Sequence, residues 1–160
     1  MRNTLKATLN FVPMEIVQLS IMDSRFSFLP GKPSEPSPYY LTPEEILFHS
    51  QIDIVKDEKD SKIIQVLVGI KNAQKEEGAC QFRVHSLGVY VLRGLTSLDD
   101  TILKTVYNWA VAVQTGAIRQ HVIQETSRGP HHRPLYIPVA LVSIEENVEE
   151  DKKEESAPEG

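Results

Sequence analysis

The hydrophobic period of this chain changes once, near residue 99, and this change limits the folds open to it. Before that point, four segments alternate apolar and polar residues, which is the period of a strand with one buried face. Beyond it, residues 101–127 carry apolar residues at helical spacing. Short polar stretches at 56–60 and 74–78 separate the second, third and fourth segments. The sequence therefore predicts an α+β fold, a four-stranded antiparallel sheet packed with one long C-terminal helix.

The first and fourth strands contain changes of parity. The predicted strands cover residues 14–28, 45–56, 62–73 and 79–93. In the first, Val17, Leu19 and Ile21 share one face, and the parity changes before Phe26, which predicts a bulge within residues 23–25. In the fourth, the parity changes after Gly88, which predicts a bulge or a close backbone approach there.

The predicted helix is apolar on two sides. Asp99 and Asp100 are suited to cap its N-terminus, and Gly129 and Pro130 end it. A helix apolar on two sides must be buried on two sides, and the sheet covers only one of them. We therefore expect self-association through this helix. The residues predicted for that interface are Val106, Trp109 and Val113.

A proline-rich connection joins the first two strands. Proline fixes φ and donates no backbone hydrogen bond, so residues 30–43 are expected to be extended and irregular. Tyr39, Tyr40 and Leu41 within it indicate that part of the connection docks on an apolar surface. Aromatic side chains near such a connection suit the recognition of apolar segments. The residues predicted to bind a client are Phe26, Phe28, Tyr39, Tyr40, Phe48 and Tyr90. For Phe48, Tyr90 and Trp109 a place in the core or at an interface is the favoured interpretation.

Composition limits the classes of partner and the cellular compartment that we expect for this chain. The formal charge of this 160-residue chain is −5 and no basic block is present, which argues against nucleic acid as a partner. Cys80 is the only cysteine, which fits a reducing cytoplasm. No signal-peptide pattern and no run of about 18 apolar residues occurs, so we expect a soluble cytoplasmic protein without membrane insertion.

The predicted organisation is an N-terminal extension at 1–13, one domain at 14–144 and a disordered acidic tail at 145–160. Residues 140–150 give poor support for a second C-terminal helix.

No residue pattern predicts catalysis, a metal site or a cofactor. His131 and His132 are adjacent in a loop, which is not the spacing of a defined zinc site. Cys80 and His85 lie an odd number of residues apart on one strand, so they are expected to face opposite sides of the sheet, which is poor geometry for a Cys–His couple. Cys80 is predicted to be a small apolar core residue.

Taken with the order of elements, several short motifs resemble the SecB family of protein-export chaperones. Residues 82–95 run through a glycine, an aliphatic and an aromatic residue to a second glycine, as the family's fourth strand does. Six further positions match the family's tendencies, namely Arg119, Thr126, Arg128, Gly129, Pro138 and Val139. The resemblance covers residues 14–140.

The resemblance implies a homotetramer built as a dimer of dimers, an apolar groove near the proline-rich connection, and docking to the SecA motor through acids on the sheet. Asp23 matches one of these acids. Ser27 and Arg83 stand where two others are expected, and an arginine in place of a carboxylate reverses the local charge. The resemblance therefore supports a SecB-like fold more strongly than it supports a role in protein export.

Three functions follow as hypotheses. The first is an ATP-independent chaperone that holds unfolded or partly folded polypeptides, with or without a role in export. The second is a dedicated interaction module on the same scaffold, such as a toxin–antitoxin-associated chaperone, without general client binding. The third, an enzyme or small-ligand binder, would require a closed polar pocket with a perturbed titratable group.

Overall fold

A computed structural model describes residues 14–32, 38–72, 77–95 and 97–138. The predicted extension at 1–13 and the acidic tail at 145–160 lie outside these residues, as does the segment in which a second C-terminal helix was in question. The elements in chain order are β1 (Met14–Phe28), β2 (Tyr39–Tyr40), a 3-10 turn (Pro43–Glu45), β3 (Ile46–Asp57), β4 (Ser61–Asn72), β5 (Cys80–Arg93), α1 (Asp100–Ser127) and β6 (Leu135–Tyr136).

The main sheet has four antiparallel strands in the order β1-β5-β4-β3, which confirms the predicted α+β class. Helix α1 packs on one face of the two central strands. That face carries the alternate residues of β4 and β5, and these form the core with the helix. The core residues of the two strands include Ile64, Val66, Val68, Ile70, Phe82, Val84, Tyr90 and Leu92. We call this the helix side of the sheet and the opposite one the outer face.

Strand β1 contains two register shifts against β5. One lies between Ile21 and Asp23, at the edge of the segment where a bulge was predicted. The other, between Ile16 and Gln18, was not predicted. It takes Val17 out of the ladder and leaves it 59% exposed, so Val17 does not share a face with Leu19 and Ile21 as the alternation indicated.

Helix α1 begins and ends where the sequence predicts. The Asp99 carboxylate accepts a hydrogen bond of 2.8 Å from the Ile102 backbone N–H, which satisfies one of the unpaired donors of the first turn. The helix runs to Ser127, directly before Arg128-Gly129-Pro130.

A buried glutamine joins α1 to the sheet. The Gln114 Nε2 donates to the backbone oxygens of Val66 and Ser86 at 3.0 and 3.1 Å, and its Oε1 accepts from the Tyr90 hydroxyl at 2.8 Å. Gly88 lies directly beneath, and a Cβ there would stand 2.6 Å from the Tyr90 hydroxyl oxygen. Strand β5 has no register shift against β4, so Gly88 provides a close approach rather than a bulge.

Candidate functional site

The end of the proline-rich connection is held to the helix by a short parallel ladder. Tyr39 and Tyr40 of β2 pair with Leu135 and Tyr136 of β6, and Leu41 beyond them is buried. This confirms that the connection docks on an apolar surface.

Two side chains of α1 hold β6 in turn. The Arg119 Nε donates to the Ile137 carbonyl at 2.8 Å, and the Thr126 hydroxyl oxygen accepts from the Leu135 N–H at 3.0 Å. The ladder is therefore fixed to the helix by hydrogen bonds between helix side chains and the backbone at β6.

An exposed aromatic pair lies on this ladder. The rings of Tyr40 and Tyr136 stack with centroids 4.9 Å apart and planes 18° apart, and Tyr40 is 69% exposed. An exposed ring on a well-anchored backbone loses little conformational entropy when it contacts an apolar segment. We call Tyr40 and Tyr136 the tyrosine pair.

Tyr39 has a structural environment different from that of Tyr40. Its hydroxyl donates to the Glu45 carboxylate at 3.1 and 3.2 Å, and the Arg133 guanidinium carbon lies 4.4 Å above its ring centroid. The side chain is half-buried, so Tyr39 supports the ladder while Tyr40 presents its ring to solvent.

Phe26 and Phe28 lie at the end of β1, on the helix side. The Phe26 ring stacks on Phe82 at 6.1 Å between centroids and also contacts the His121 ring at 5.8 Å. Phe28 packs against Gly129, where a Cβ would collide with its ring. Both phenylalanines are half-buried: each packs against the core and leaves part of its ring accessible to solvent.

The two remaining predicted client residues have different positions. Phe48 is half-buried and packs against the core. Tyr90 is fully buried, and its hydroxyl is bonded to Gln114. A side chain with no exposed surface cannot contact a client without opening of the core, so the structure corrects the assignment of Tyr90 to a binding surface and makes it a core residue.

The predicted interface residues of α1 do not share one face. Val106 is 1% exposed and belongs to the core, which corrects its assignment to an interface between copies. Trp109 is 51% exposed on the outward side, and Val113 is half-buried between these two positions. The outward side carries no charged residue from Thr105 to Gln120; its exposed members between these are Asn108, Trp109, Ala112 and Gly116.

The residue matched to a SecA-docking acid lies beside two arginines and a histidine. The Asp23 carboxylate lies 3.5 Å from the Arg25 Nε, 4.0 Å from the Arg83 Nε and 3.8 Å from the His85 Nδ1. Ser27 lies exposed on the same outer face. The acidic character that the resemblance implies for this face is therefore reversed around Asp23.

Cys80 and His85 lie on opposite sides of the sheet, as predicted. Cys80 is buried on the helix side, and burial raises the pKa of its thiol to about 11, although a hydrogen bond with the Ser27 backbone opposes the rise. His85 lies on the outer face beside Asp23. Cys80 is thus a core residue whose thiol stays protonated at neutral pH.

Two absences hold for the described part of the chain. It contains no group of three or more His, Cys, Asp or Glu side chains placed to hold a metal ion. None of its helices combines the length and apolarity needed to cross a membrane.

Sequence reasoning missed two features of the surface. The pairing of β2 with β6 joins segments about 95 residues apart, and the apolar character of both was the only local sign of it. A cavity of about 340 Å³ on the outer face, over Gly69 and between His49, Lys71, Arg83 and His85, draws its residues from three strands. The sequence alternation indicates which residues of each strand share a face, but it does not indicate which strands are neighbours in the sheet.

Comparison with known proteins gives likeness at the level of structure. No family model and no curated protein matches the sequence. A protein of unknown function from Streptococcus agalactiae is similar in structure, with a TM-score of 0.54 and 6% identity over 80% of this chain and 98% of that one. A SecB-like chaperone of Mycobacterium tuberculosis, Rv1957, solved in complex with a ChAD peptide from the HigA1 antitoxin, has a TM-score of 0.49 and 10% identity over 86% of this chain and 95% of that one. The Streptococcus likeness shows that another chain with almost no sequence in common adopts this fold.

Proposed function

We propose that this chain is an ATP-independent, SecB-like chaperone that holds unfolded or partly folded polypeptides, and that it is a binding protein and not an enzyme. The proposal takes its class from the sequence resemblance. The observation that supports client binding at a particular surface is the tyrosine pair, two stacked aromatic rings on a ladder fixed to α1. Aromatic rings on rigid backbone bind apolar segments with little demand for a particular sequence, which suits many clients.

Further exposed apolar side chains support binding of extended chains or of a second copy. Ile16, Val17, Leu19 and Met22 on β1 are between 38% and 62% exposed. Strands β1 and β3 are both edges of the main sheet, and an exposed apolar edge strand can pair with another chain. We propose that self-association covers part of this surface and the uncharged outward side of α1, and that the assembly works in the cytoplasm.

The test of client binding is light-scattering mass on a sizing column, for the chain alone and with two unrelated, chemically unfolded polypeptides. We expect both polypeptides to co-elute with the protein. Tyr40→Ser should weaken this association, because the exposed ring is lost while the bonds that hold the ladder remain.

The matched control is Val55→Ser, which removes another exposed apolar side chain, 59% accessible, near the far end of β3. Equal client binding by Tyr40→Ser and Val55→Ser would show that the tyrosine pair is not the binding surface. Failure of the parent protein to carry either polypeptide would contradict general holding.

The second candidate function is a dedicated interaction module on the same scaffold. The reversal of charge around Asp23 favours it, because a changed electrostatic surface changes partner choice. Breadth of binding distinguishes the two: a chaperone carries both unfolded polypeptides, whereas a dedicated module carries neither and retains one specific partner. Docking to SecA remains an expectation from the resemblance, and the same charge reversal weighs against it.

A further inference from the structure

Basic side chains form a row across three strands of the outer face. Arg25 of β1 lies opposite Arg83 of β5, and Arg83 lies opposite Lys71 of β4. Asp23 forms ion pairs with Arg25 and Arg83, and its one carboxylate offsets one of the three positive charges of this row. This concentration of positive charge stands out because the whole chain carries a formal charge of −5.

A second row of paired residues lies directly beside the first. Asp23 pairs with His85, His85 with Gly69, and Gly69 with His49, so that this row crosses all four strands. Gly69 has no side chain, and the His85 ring lies across its backbone. A Cβ at Gly69 would stand 2.6 Å from the His85 Cδ2 and 2.7 Å from its Nε2.

The parts of the two rows that lie on β3, β4 and β5 line the outer-face cavity of about 340 Å³. Gly69 lines it together with the side chains of Leu47, His49, Lys71, Arg83 and His85. The next pair along the same face is Leu67 opposite Leu87, both half-buried. The surface therefore combines a cationic cavity with an adjacent aliphatic pair.

We propose that this cavity binds a carboxylate of an acidic peptide segment from a partner protein, with aliphatic residues of the segment packing on Leu67 and Leu87. Arginine and lysine donate charge-assisted hydrogen bonds to carboxylates, and an extended segment places alternate side chains on one side at a spacing comparable to that between rows of the sheet. The site lies on the face opposite α1 and β6, so it is separate from the tyrosine pair and does not depend on the proposed chaperone function.

The charged and titratable groups around His85 predict how binding responds to pH. Burial lowers the pKa of His85 below its ordinary value, Arg83 and His49 add to the lowering, and Asp23 opposes it. Lys71 lies beside it in the same cavity. A bound carboxylate favours the protonated imidazole, so affinity should rise as the pH falls from 7.5 to 5.5, a range in which glutamate, with a pKa of about 4.3, remains ionised.

The experiment measures fluorescence anisotropy of a short fluorescein-labelled peptide of glutamate and leucine, with a second peptide in which glutamine replaces every glutamate. We expect the acidic peptide to bind and the glutamine peptide not to bind. Arg83→Glu should weaken binding roughly tenfold or more, because it removes a cation and adds a repelling carboxylate. His85→Gln should reduce the gain in affinity at low pH.

Arg93→Glu is the matched control. Arg93 lies on the same strand and the same face as Arg83, ten residues and about 33 Å further along, and is similarly exposed. Arg93→Glu makes the same change in net charge as Arg83→Glu. Because Arg93 lies far from the cavity, peptide binding by this variant should stay near that of the parent protein.

Three results would overturn the proposal. These are equal binding of the two peptides, equal loss in Arg83→Glu and Arg93→Glu, and displacement of the acidic peptide by inorganic phosphate that sodium chloride of the same ionic strength does not reproduce. The last would mean a site for a free small anion.

Gly69→Ala gives a second variant. Displacement of the His85 ring by the added Cβ should weaken binding of the acidic peptide, while the thermal unfolding transition stays cooperative.

Discussion

Gln114 is the residue on which the polar contact between helix and sheet depends. Its side chain bonds to Val66, Ser86 and Tyr90, all within the buried interface, and it has no exposed surface itself. A buried amide is stabilising only when its donors and acceptors are paired, and here both ends are bonded.

Replacement of Gln114 by alanine should lower the free energy of unfolding by about 2–4 kcal/mol, because it leaves a cavity and removes the partner of the buried Tyr90 hydroxyl. Urea unfolding followed by circular dichroism measures this. Gln120→Ala on the exposed side of the same helix is the control and should change the value by about 0.5 kcal/mol or less. Similar losses in both variants would refute the role given to Gln114.

Two glycines of this chain should respond oppositely to alanine. A Cβ at Gly88 would collide with the Tyr90 hydroxyl, so Gly88→Ala should destabilise by about 1–3 kcal/mol. At Gly116, on the exposed side of α1, a Cβ meets no atom of the described chain within 4 Å. Gly116→Ala should therefore stabilise by about 0.5–1 kcal/mol, since glycine is a poor helix former. Thermal unfolding of the two variants would decide, and a shift of the same sign in both would contradict the structure.

At the scale of elements, local signals were sufficient for the ends of α1 and insufficient for the details of β1. The helix cap depends on Asp99 and its own first turn, so sequence alone identified it. The bulge at Val17 depends on how β1 fits against β5, a strand some 70 residues away, so no local pattern indicated it.

Asp99→Ala should destabilise the protein by about 1 kcal/mol, because the Ile102 N–H loses its side-chain acceptor. Asp99→Asn tests the cause, since asparagine also caps helices and should retain most of the stability. Denaturant titration of the three proteins measures the difference. An equal loss with asparagine and alanine would mean that the hydrogen bond is not what stabilises this end.

At the scale of the whole molecule, both apolar sides of α1 contribute to the core, since Ala110 of one side and Val111, Ile118 and Val122 of the other are buried, so the sheet covers more than the one side that the sequence indicated. The core receives Val106, and Trp109 remains exposed beside small uncharged residues. A substitution at Val106 would therefore report on folding, and one at Trp109 reports on association.

Trp109→Asp should lower the mass of the assembly by introducing a charge into an apolar contact, without loss of the fold. Light-scattering mass on a sizing column measures it, with Gln124→Asp on the exposed part of the same helix as the control. The prediction fails if the parent protein is already monomeric or if both variants keep the parent mass. Val106→Asp should instead unfold the domain, because it buries an unpaired carboxylate.

The client-binding prediction was partly readable from the sequence. Aromatic residues in and near the proline-rich connection indicated the region, but their separate roles follow from contacts that distant segments provide. Tyr39 meets Arg133, Tyr40 meets Tyr136, and Tyr90 meets Gln114. Whether a given ring is exposed or buried depends on these partners, and spacing along the chain does not identify them.

The sequence by itself determined the period of each element, the cap of the helix and the α+β class, because these depend on residues within a few positions of one another. Only the tertiary structure decided that β1 lies beside β5, that β2 pairs with β6, and that Arg25, Arg83 and Lys71 form one row. The physical reason is that alternation specifies which residues share a face of a strand, whereas neighbours across strands are chosen by packing of the whole chain.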